Sequence, residues 1–131
     1  DVRTRSCKSL DAAMLATSSP HYFDAQGADA YMRLAHAVGG NKRQGMIVYG
    51  GDCYNYGMLA AGQIDIVCES GLKLFDYAAL VPVVEGAGGT MSDWQGNPLD
   101  AQSDGSVIAL GDPARLEDVL EALAGHSHGE H

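Results

Sequence analysis

Three acidic residues fall where a carboxylate can do chemistry. Asp52 follows Gly50-Gly51, directly after the apolar run Met46-Ile47-Val48-Tyr49. Glu69 closes a second apolar run, Ile64-Asp65-Ile66-Val67-Cys68. Asp76 stands at the start of a helical segment that reaches Gly86. In α/β sheets the carboxyl ends of strands and the facing helix N-termini form the usual ligand crevice. Carboxylates gathered there can hold a hard cation such as Mg²⁺. Each residue also has a plainer reading. Asp52 and Asp76 are good helix caps, and Glu69 reads equally well as a solvated loop residue. Residue type and position leave both readings open.

The other chemistry-bearing residues point nowhere specific. Cys7, Cys53 and Cys68 are odd in number and form no CxxC pair, which argues against a disulfide framework and for a reducing cytosol. No Cys/His pairs show zinc-ligand spacing. His21 and His36 are isolated in sequence. His126, His128 and His131 could take up stray Ni²⁺ or Zn²⁺, but they lie in a polar tail that is expected to fray. No residue stands out as a nucleophile or general base.

The elements that must position these groups alternate. Residues 9–15 read as a short helical turn running into an apolar segment, broken by Thr17-Ser18-Ser19-Pro20. Ala28, Tyr31, Met32, Leu34, Ala35 and Val38 follow helical spacing, and Gly39-Gly40 stops that helix. Met46-Ile47-Val48-Tyr49 reads as a buried strand. A helix over 53–61 ends at Gly62, and a strand follows over 64–68. Residues 76–86 form a second strong helix candidate, in which Pro82 implies a kink or a late start. Thr90-Met91-Ser92 reads as a strand, residues 93–98 as a turn-rich loop, and residues 106–110 as a buried strand. Asp112 caps a last helix, with Pro113 at its favoured first position.

Strands alternating with helices predict a layered α/β fold: a mostly parallel or mixed sheet of about five strands with helices on both faces. The near-continuous apolar strands require both faces to be covered. The expected organisation is one α/β domain over residues 1–124 and a flexible tail over 125–131.

A chain of 131 residues with 46% hydrophobic content can bury a real core. Acidic residues outnumber basic ones, 17 to 8, for a formal net charge of −9. That balance argues against nucleic acid and anionic membranes as partners. No apolar run approaches the roughly 18 residues of a membrane span. The opening Asp1-Val2-Arg3-Thr4-Arg5 has no apolar stretch of the kind a secretion signal needs. It also has no initiator Met, so an upstream segment is expected.

One set of motifs is more specific. Gly51-Asp52-Cys53-Tyr54, Ala60-Ala61-Gly62-Gln63-Ile64-Asp65, the run from Glu69-Ser70-Gly71-Leu72-Lys73 through Phe75-Asp76-Tyr77-Ala78-Ala79-Leu80, and Glu85-Gly86-Ala87-Gly88-Gly89 together resemble the C-terminal signature of the inositol monophosphatase family. Phe75 stands where the family usually has Trp or Tyr. Within the family, Gly-Asp-Cys-Tyr, Gly-Leu-Lys and Ala16-Thr17-Ser18-Ser19-Pro20 with Phe23 are most similar to the histidinol-phosphate phosphatase branch. The resemblance covers nearly the whole chain.

The resemblance implies a Mg²⁺-dependent phosphomonoesterase acting on a small phosphate monoester, with histidinol phosphate the first expectation and an inositol phosphate the second. Asp76 matches the family's metal-ligand aspartate, and Glu69 a substrate-contacting acid. Asp52 would face the organic half of the substrate. Histidinol phosphate carries an ammonium and a titratable imidazole, which suit Asp52 and Glu69. The family's other metal ligands come from a Glu-Glu segment and an Asp-Pro-x-Asp-Gly-Thr segment, and neither occurs here. The chain is therefore expected to be a C-terminal half that needs a missing N-terminal half, and to be inactive alone. An apolar face left by that half would drive self-association, so a homo-oligomer is expected. Two other readings stay open: an isolated non-catalytic domain, and a module that binds a small cationic ligand without turnover.

Overall fold

The computed structural model describes residues 3–17, 25–39, 46–49, 58–59, 61–69, 80–99 and 106–124. A 3₁₀ turn over Leu10–Ala12 leads into strand β1 (Met14–Thr17), followed by helix α1 (Ala25–Gly39) and strand β2 (Met46–Tyr49). Strand β3 (Ile66–Glu69), helix α2 (Leu80–Gly86) and strands β4 (Thr90–Ser92) and β5 (Val107–Leu110) come next. A second 3₁₀ turn over Pro113–Arg115 runs into the last helix, α3 (Leu116–Ala124).

Among the described residues the strands form one five-stranded mixed sheet in the order β2-β1-β3-β5-β4. β1 is parallel to both β2 and β3, with Thr17 opposite Tyr49 and Ala16 opposite Val67. β5 runs antiparallel to β3 and β4, placing Val107 opposite Glu69 and Ile108 opposite Ser92. This is the mixed α/β sheet that the alternating pattern predicts. β1 is the element the sequence shows least clearly: only four residues long, it reads there as the tail of a helical turn.

The period-2 alternation of each strand sorts side chains onto two faces. Leu15, Ile66, Cys68, Ile108 and Leu110 pack with Tyr31, Leu34 and Val38 of α1 and Val119 and Leu123 of α3. Ala16, Val67, Val107 and Ala109 pack on the other side with Leu59, Met91 and Val84 of α2. Helices therefore cover both faces, as expected. Each fully buried Val, Leu or Ile contributes about 1.5–3 kcal/mol relative to exposure. One residue departs from the sequence reading. Met32, assigned to the apolar stripe of α1, is 57% exposed. It lies one residue, about 100° of turn, beyond the stripe made by Tyr31, Leu34, Ala35 and Val38.

Helix ends follow their glycines. Gly88 (φ +108) donates its N–H to Glu85 O at 3.1 Å, and Gly89 donates to Val84 O at 3.0 Å. These two bonds form a Schellman cap on α2. Gly62 (φ +82) and Gln63 repeat it, donating to Leu59 O and Met58 O, so the helix through 58–59 does end at Gly62. Gly89 is needed for a second reason: a Cβ there would lie 2.3 Å from Leu110 O. Ala87-Gly88-Gly89 is thus a structural motif that turns the chain from α2 straight into β4. Pro82 lies within the described span of α2, Leu80–Gly86. At the last helix, Asp112 Oδ1 accepts from Ala114 N at 3.0 Å, and Pro113 occupies the first position, as read from the sequence. Arg33 of α1 donates to Leu123 O through Nε and an η nitrogen, at 3.1 and 2.6 Å, tying α1 to the C-terminal end of α3.

Candidate active site

Because β1, β2 and β3 are parallel, their carboxyl ends at Thr17, Tyr49 and Glu69 lie at one end of the sheet. β5 begins at that end with Val107, and β4 finishes there with Ser92. This is where a ligand crevice is expected in a sheet of this kind.

Glu69 is 4% exposed, so the sequence alternative of a solvated loop residue is overturned. It is the last residue of β3, held between β1 and β5. The fully buried Thr17 donates from Oγ1 to Glu69 Oε1 at 2.9 Å. A carboxylate taken out of water needs such partners, because burying a charge without hydrogen bonds is costly.

Asp52 and Asp76 lie outside the described residues. In sequence, Asp52 follows Tyr49, the strand end that pairs with Thr17, by three residues, and Asp76 follows Glu69 by seven. Among the described residues no group of three or more His, Cys, Asp or Glu side chains is placed to hold a metal ion. His36 is exposed on α1, while His21 and the tail histidines are outside the described residues.

Other polar groups at this end of the sheet serve the backbone. Asp93 is buried, and its Oδ1 accepts from Gln95 N and Asn97 N, both at 2.9 Å, which closes the loop after β4. Trp94 N donates to Ser106 Oγ and its indole to Val107 O, each at 3.2 Å. These groups fix the turn between β4 and β5, whereas Glu69 is held by a side chain from a neighbouring strand. Thr17 is the residue that sequence reasoning missed in this role. Its neighbours Ser18-Ser19-Pro20 make it read as part of a turn, yet Met14-Leu15-Ala16 before it is apolar enough to signal a short strand.

The opposite end of β3 carries a carboxylate with a structural task. Asp65 accepts from Arg5 Nε and an η nitrogen at 2.8 Å each, and from Met14 N at 2.8 Å. Its own backbone N–H goes to Met14 O, and its carbonyl receives Gly111 N. Asp112 likewise accepts from Cys7 N at 2.8 Å, and that bond foremost holds its carboxyl below the usual range. The segment before β1 is thus pinned across the bottom of the sheet. Burial pushes the Cys7 thiol up, and pushes Cys68 up strongly, with the negative charge of Glu69 adding to the effect on Cys68. Both are free buried thiols. No described helix is long and apolar enough to cross a membrane.

The comparisons with known proteins agree with this fold. The family model described as the inositol monophosphatase family matches residues 1–128. The chain is 43% identical over 133 aligned positions to the bifunctional phosphatase IMPL2, chloroplastic, of Arabidopsis thaliana, covering 96% of this chain and 37% of that protein. It is 32% identical to a histidinol-phosphatase of Chlorobaculum parvum, over 50% of this chain and 25% of that one. Among solved structures, an inositol monophosphatase from Zymomonas mobilis superposes with a TM-score of 0.86 at 47% identity, covering 94% of this chain and 46% of that chain. The chain thus spans less than half the length of these relatives. With a match running from its first residue almost to its last and a sheet that superposes on a solved member, the chain belongs to the inositol monophosphatase family.

Proposed function

We propose that this chain is the C-terminal part of a Mg²⁺-dependent phosphomonoesterase that hydrolyses histidinol phosphate to histidinol. The observation that carries the reading is Glu69, a buried carboxylate at the carboxyl end of the sheet, which the family resemblance matches to a substrate-contacting acid. A phosphate ester brings negative charge, and a buried carboxylate facing it would be repelled. Glu69 therefore addresses the organic end of the substrate and favours one that is cationic. Histidinol phosphate offers an ammonium and an imidazole; inositol phosphate offers only hydroxyls. Asp52 is proposed as a second acid on that side.

The relatives support the branch to different degrees. The Chlorobaculum protein is named a histidinol-phosphatase but aligns over half of this chain. The Zymomonas protein, more similar at 47% identity, is titled an inositol monophosphatase. An inositol-phosphate phosphatase is accordingly the second reading. Mg²⁺ belongs to either reading through Asp76, proposed as one ligand, with the remaining ligands supplied by Glu-Glu and Asp-Pro-x-Asp-Gly-Thr segments that this sequence lacks. When bound, the metal cluster would activate water and hold the leaving oxygen. A reducing, cytoplasmic setting fits the two free thiols among the described residues, Cys7 and Cys68. Self-association into a homo-oligomer remains part of the reading and is measured by light scattering.

The test compares kcat/KM for histidinol phosphate and inositol 1-phosphate, using an enzyme that carries this chain together with both N-terminal segments. A clear preference for histidinol phosphate supports the branch. An equal or reversed preference refutes it in favour of the second reading.

A further inference from the structure

We propose that residues 3–8 form a detachable strap, a short segment that locks the bottom of the sheet and opens as a unit while the sheet stays folded. The segment belongs to no strand or helix, yet it ties together loops that lie far apart in sequence. Thr4 N donates to Ala87 O at 3.0 Å, just past the end of α2. Arg5 donates through Nε and an η nitrogen to both oxygens of Asp65, each at 2.8 Å, ahead of β3. Cys7 N donates to Asp112 Oδ2 at 2.8 Å, just after β5. The glycines beneath the segment let it lie close. A Cβ at Gly62 would come within 3.0 Å of Arg3 O, and one at Gly88 within 3.2 Å of Thr4 Oγ1. All of these anchors are at the end of the sheet away from Glu69.

What holds the strap is almost entirely polar. Arg3, Arg5, Ser6 and Lys8 are exposed, and Cys7 is its one buried side chain. Lifting it uncovers little apolar surface, whereas opening the sheet uncovers Ile66, Val67, Ile108 and Leu110, all deeply buried. Segments with few apolar contacts open at much lower free energy than core strands. The movement also has a fixed end. The 3₁₀ turn over Leu10–Ala12 is closed by Ala12 N donating to Ser9 O at 3.2 Å and Ala13 N to Leu10 O at 3.1 Å, and Leu10 packs against the core. The hinge therefore falls at Lys8 and Ser9. Consecutive Cα atoms are only about 3.8 Å apart, so anchors on Thr4, Arg5 and Cys7 leave no slack between them. Loss of one loosens the others. Closed, the strap covers the Cys7 thiol and the carboxylate of Asp65; open, it gives both to water.

The experiment treats the 131-residue chain with iodoacetamide at urea concentrations below its unfolding midpoint, resolves the alkylated cysteines by mass spectrometry, and follows deuterium exchange at the Thr4 amide. Cys68, inside β3, is the internal reference, because only unfolding of the sheet exposes it. Cys7 should react at least about a hundredfold faster than Cys68. Its rate should hardly rise with urea, since little surface is exposed on opening, while that of Cys68 rises steeply. Arg5→Gln removes the two-pronged contact with Asp65. It should raise Cys7 alkylation and Thr4 exchange by the same factor, about tenfold once the half-exposure of the guanidinium is allowed for. A single urea dependence shared by Cys7 and Cys68 overturns the inference, because the strap then opens only with the whole fold. Faster alkylation of Cys7 in Arg5→Gln with an unchanged Thr4 amide also overturns it, because the segment then frays piece by piece. The comparison of Cys7 with Cys68 needs only the parent chain, so it decides the first point even if the variant does not fold.

Discussion

Asp65 and Glu69 bracket the same strand, four residues apart, and their carboxylates are buried to nearly the same degree, 3% and 4% exposed. Their partners divide their tasks. Asp65 is met by a guanidinium and a backbone N–H, which use its charge within the fold. Glu69 accepts from the neutral hydroxyl of Thr17 on the neighbouring strand. One carboxylate holds the entry to β1, and the other sits at the crevice end of the sheet.

Asp65→Ala should therefore cost stability and spare chemistry. It leaves Met14 N without its acceptor and releases Arg5, which is half exposed and can return to water. The expected loss is about 1–3 kcal/mol, the usual penalty for a buried donor stripped of its partner. Urea unfolding of the chain measures it. An unchanged midpoint would show that this corner contributes nothing.

Glu69→Gln should do the reverse. The side chain keeps its size and can still accept from Thr17, so the fold should hold. Loss of the charge facing a cationic substrate is expected to cost roughly 2–5 kcal/mol in kcat/KM for histidinol phosphate if the contact is buried. Steady-state kinetics in the intact enzyme decide it, and retention of full efficiency would remove Glu69 from the substrate site.

Gly89→Ala should destabilise the fold although no unusual φ is involved. The added methyl would meet Leu110 O at 2.3 Å, and that oxygen belongs to the β5 backbone, which cannot step aside alone. Overpacking of this kind costs about 1–3 kcal/mol. Gly86→Ala, at the C-terminal end of α2, has no neighbour within 4 Å and is the control. Similar melting temperatures for the two variants would contradict the close approach.

Asp112 gives a pH dependence with a definite sign. Its folded-state pKa lies below the ordinary 3.8, chiefly through the hydrogen bond from Cys7 N, with the one from Ala114 N assisting. A lowered carboxylate pKa means that the unfolded chain binds the proton more readily. The stabilisation is thus complete above the ordinary carboxylate range and is lost as pH falls through the lowered value. Asp112→Asn should flatten that part of an acid-unfolding curve by lowering stability at pH 7, where the contribution is complete, while leaving the acid limit close to the parent. A variant curve parallel to the parent throughout would argue against the linkage.

Much of this was legible in the sequence, and the exceptions have physical causes. Strand ends and helix caps announce themselves locally: Gly62, Gly88 and Pro113 each act where their own backbone preferences place them. Glu69 was recognisable because an acid closing an apolar run must sit at a strand end. Its burial was not, since that depends on β1 and β5, which flank it from distant parts of the chain. Thr17 was hidden for the same reason: the pairing spans 52 positions, and the local Thr-Ser-Ser-Pro pattern speaks for a turn. Met32 misled because an apolar residue beside a buried stripe counts as part of it until the helix is docked.

The last prediction concerns Asp76 and metal. A carboxylate near a helix start can cap the helix, bind a cation, or do both with its two oxygens. The resemblance to the family makes metal binding the proposed role. Mg²⁺ demands near-octahedral oxygen ligands and gives up its waters reluctantly, so it is usually held by more than one carboxylate or by a carboxylate with a phosphate. This sequence matches one of the family's ligand positions and lacks the Glu-Glu and Asp-Pro-x-Asp-Gly-Thr segments that carry the others. The 131-residue chain alone should therefore bind Mg²⁺ weakly by calorimetry and release no phosphate from histidinol phosphate. In an enzyme that carries all the segments, Asp76→Asn should abolish turnover while the circular dichroism spectrum and melting temperature stay close to the parent, because the substitution removes a charge and little volume. Tight Mg²⁺ binding or genuine turnover by the chain alone would show that its own residues complete the site.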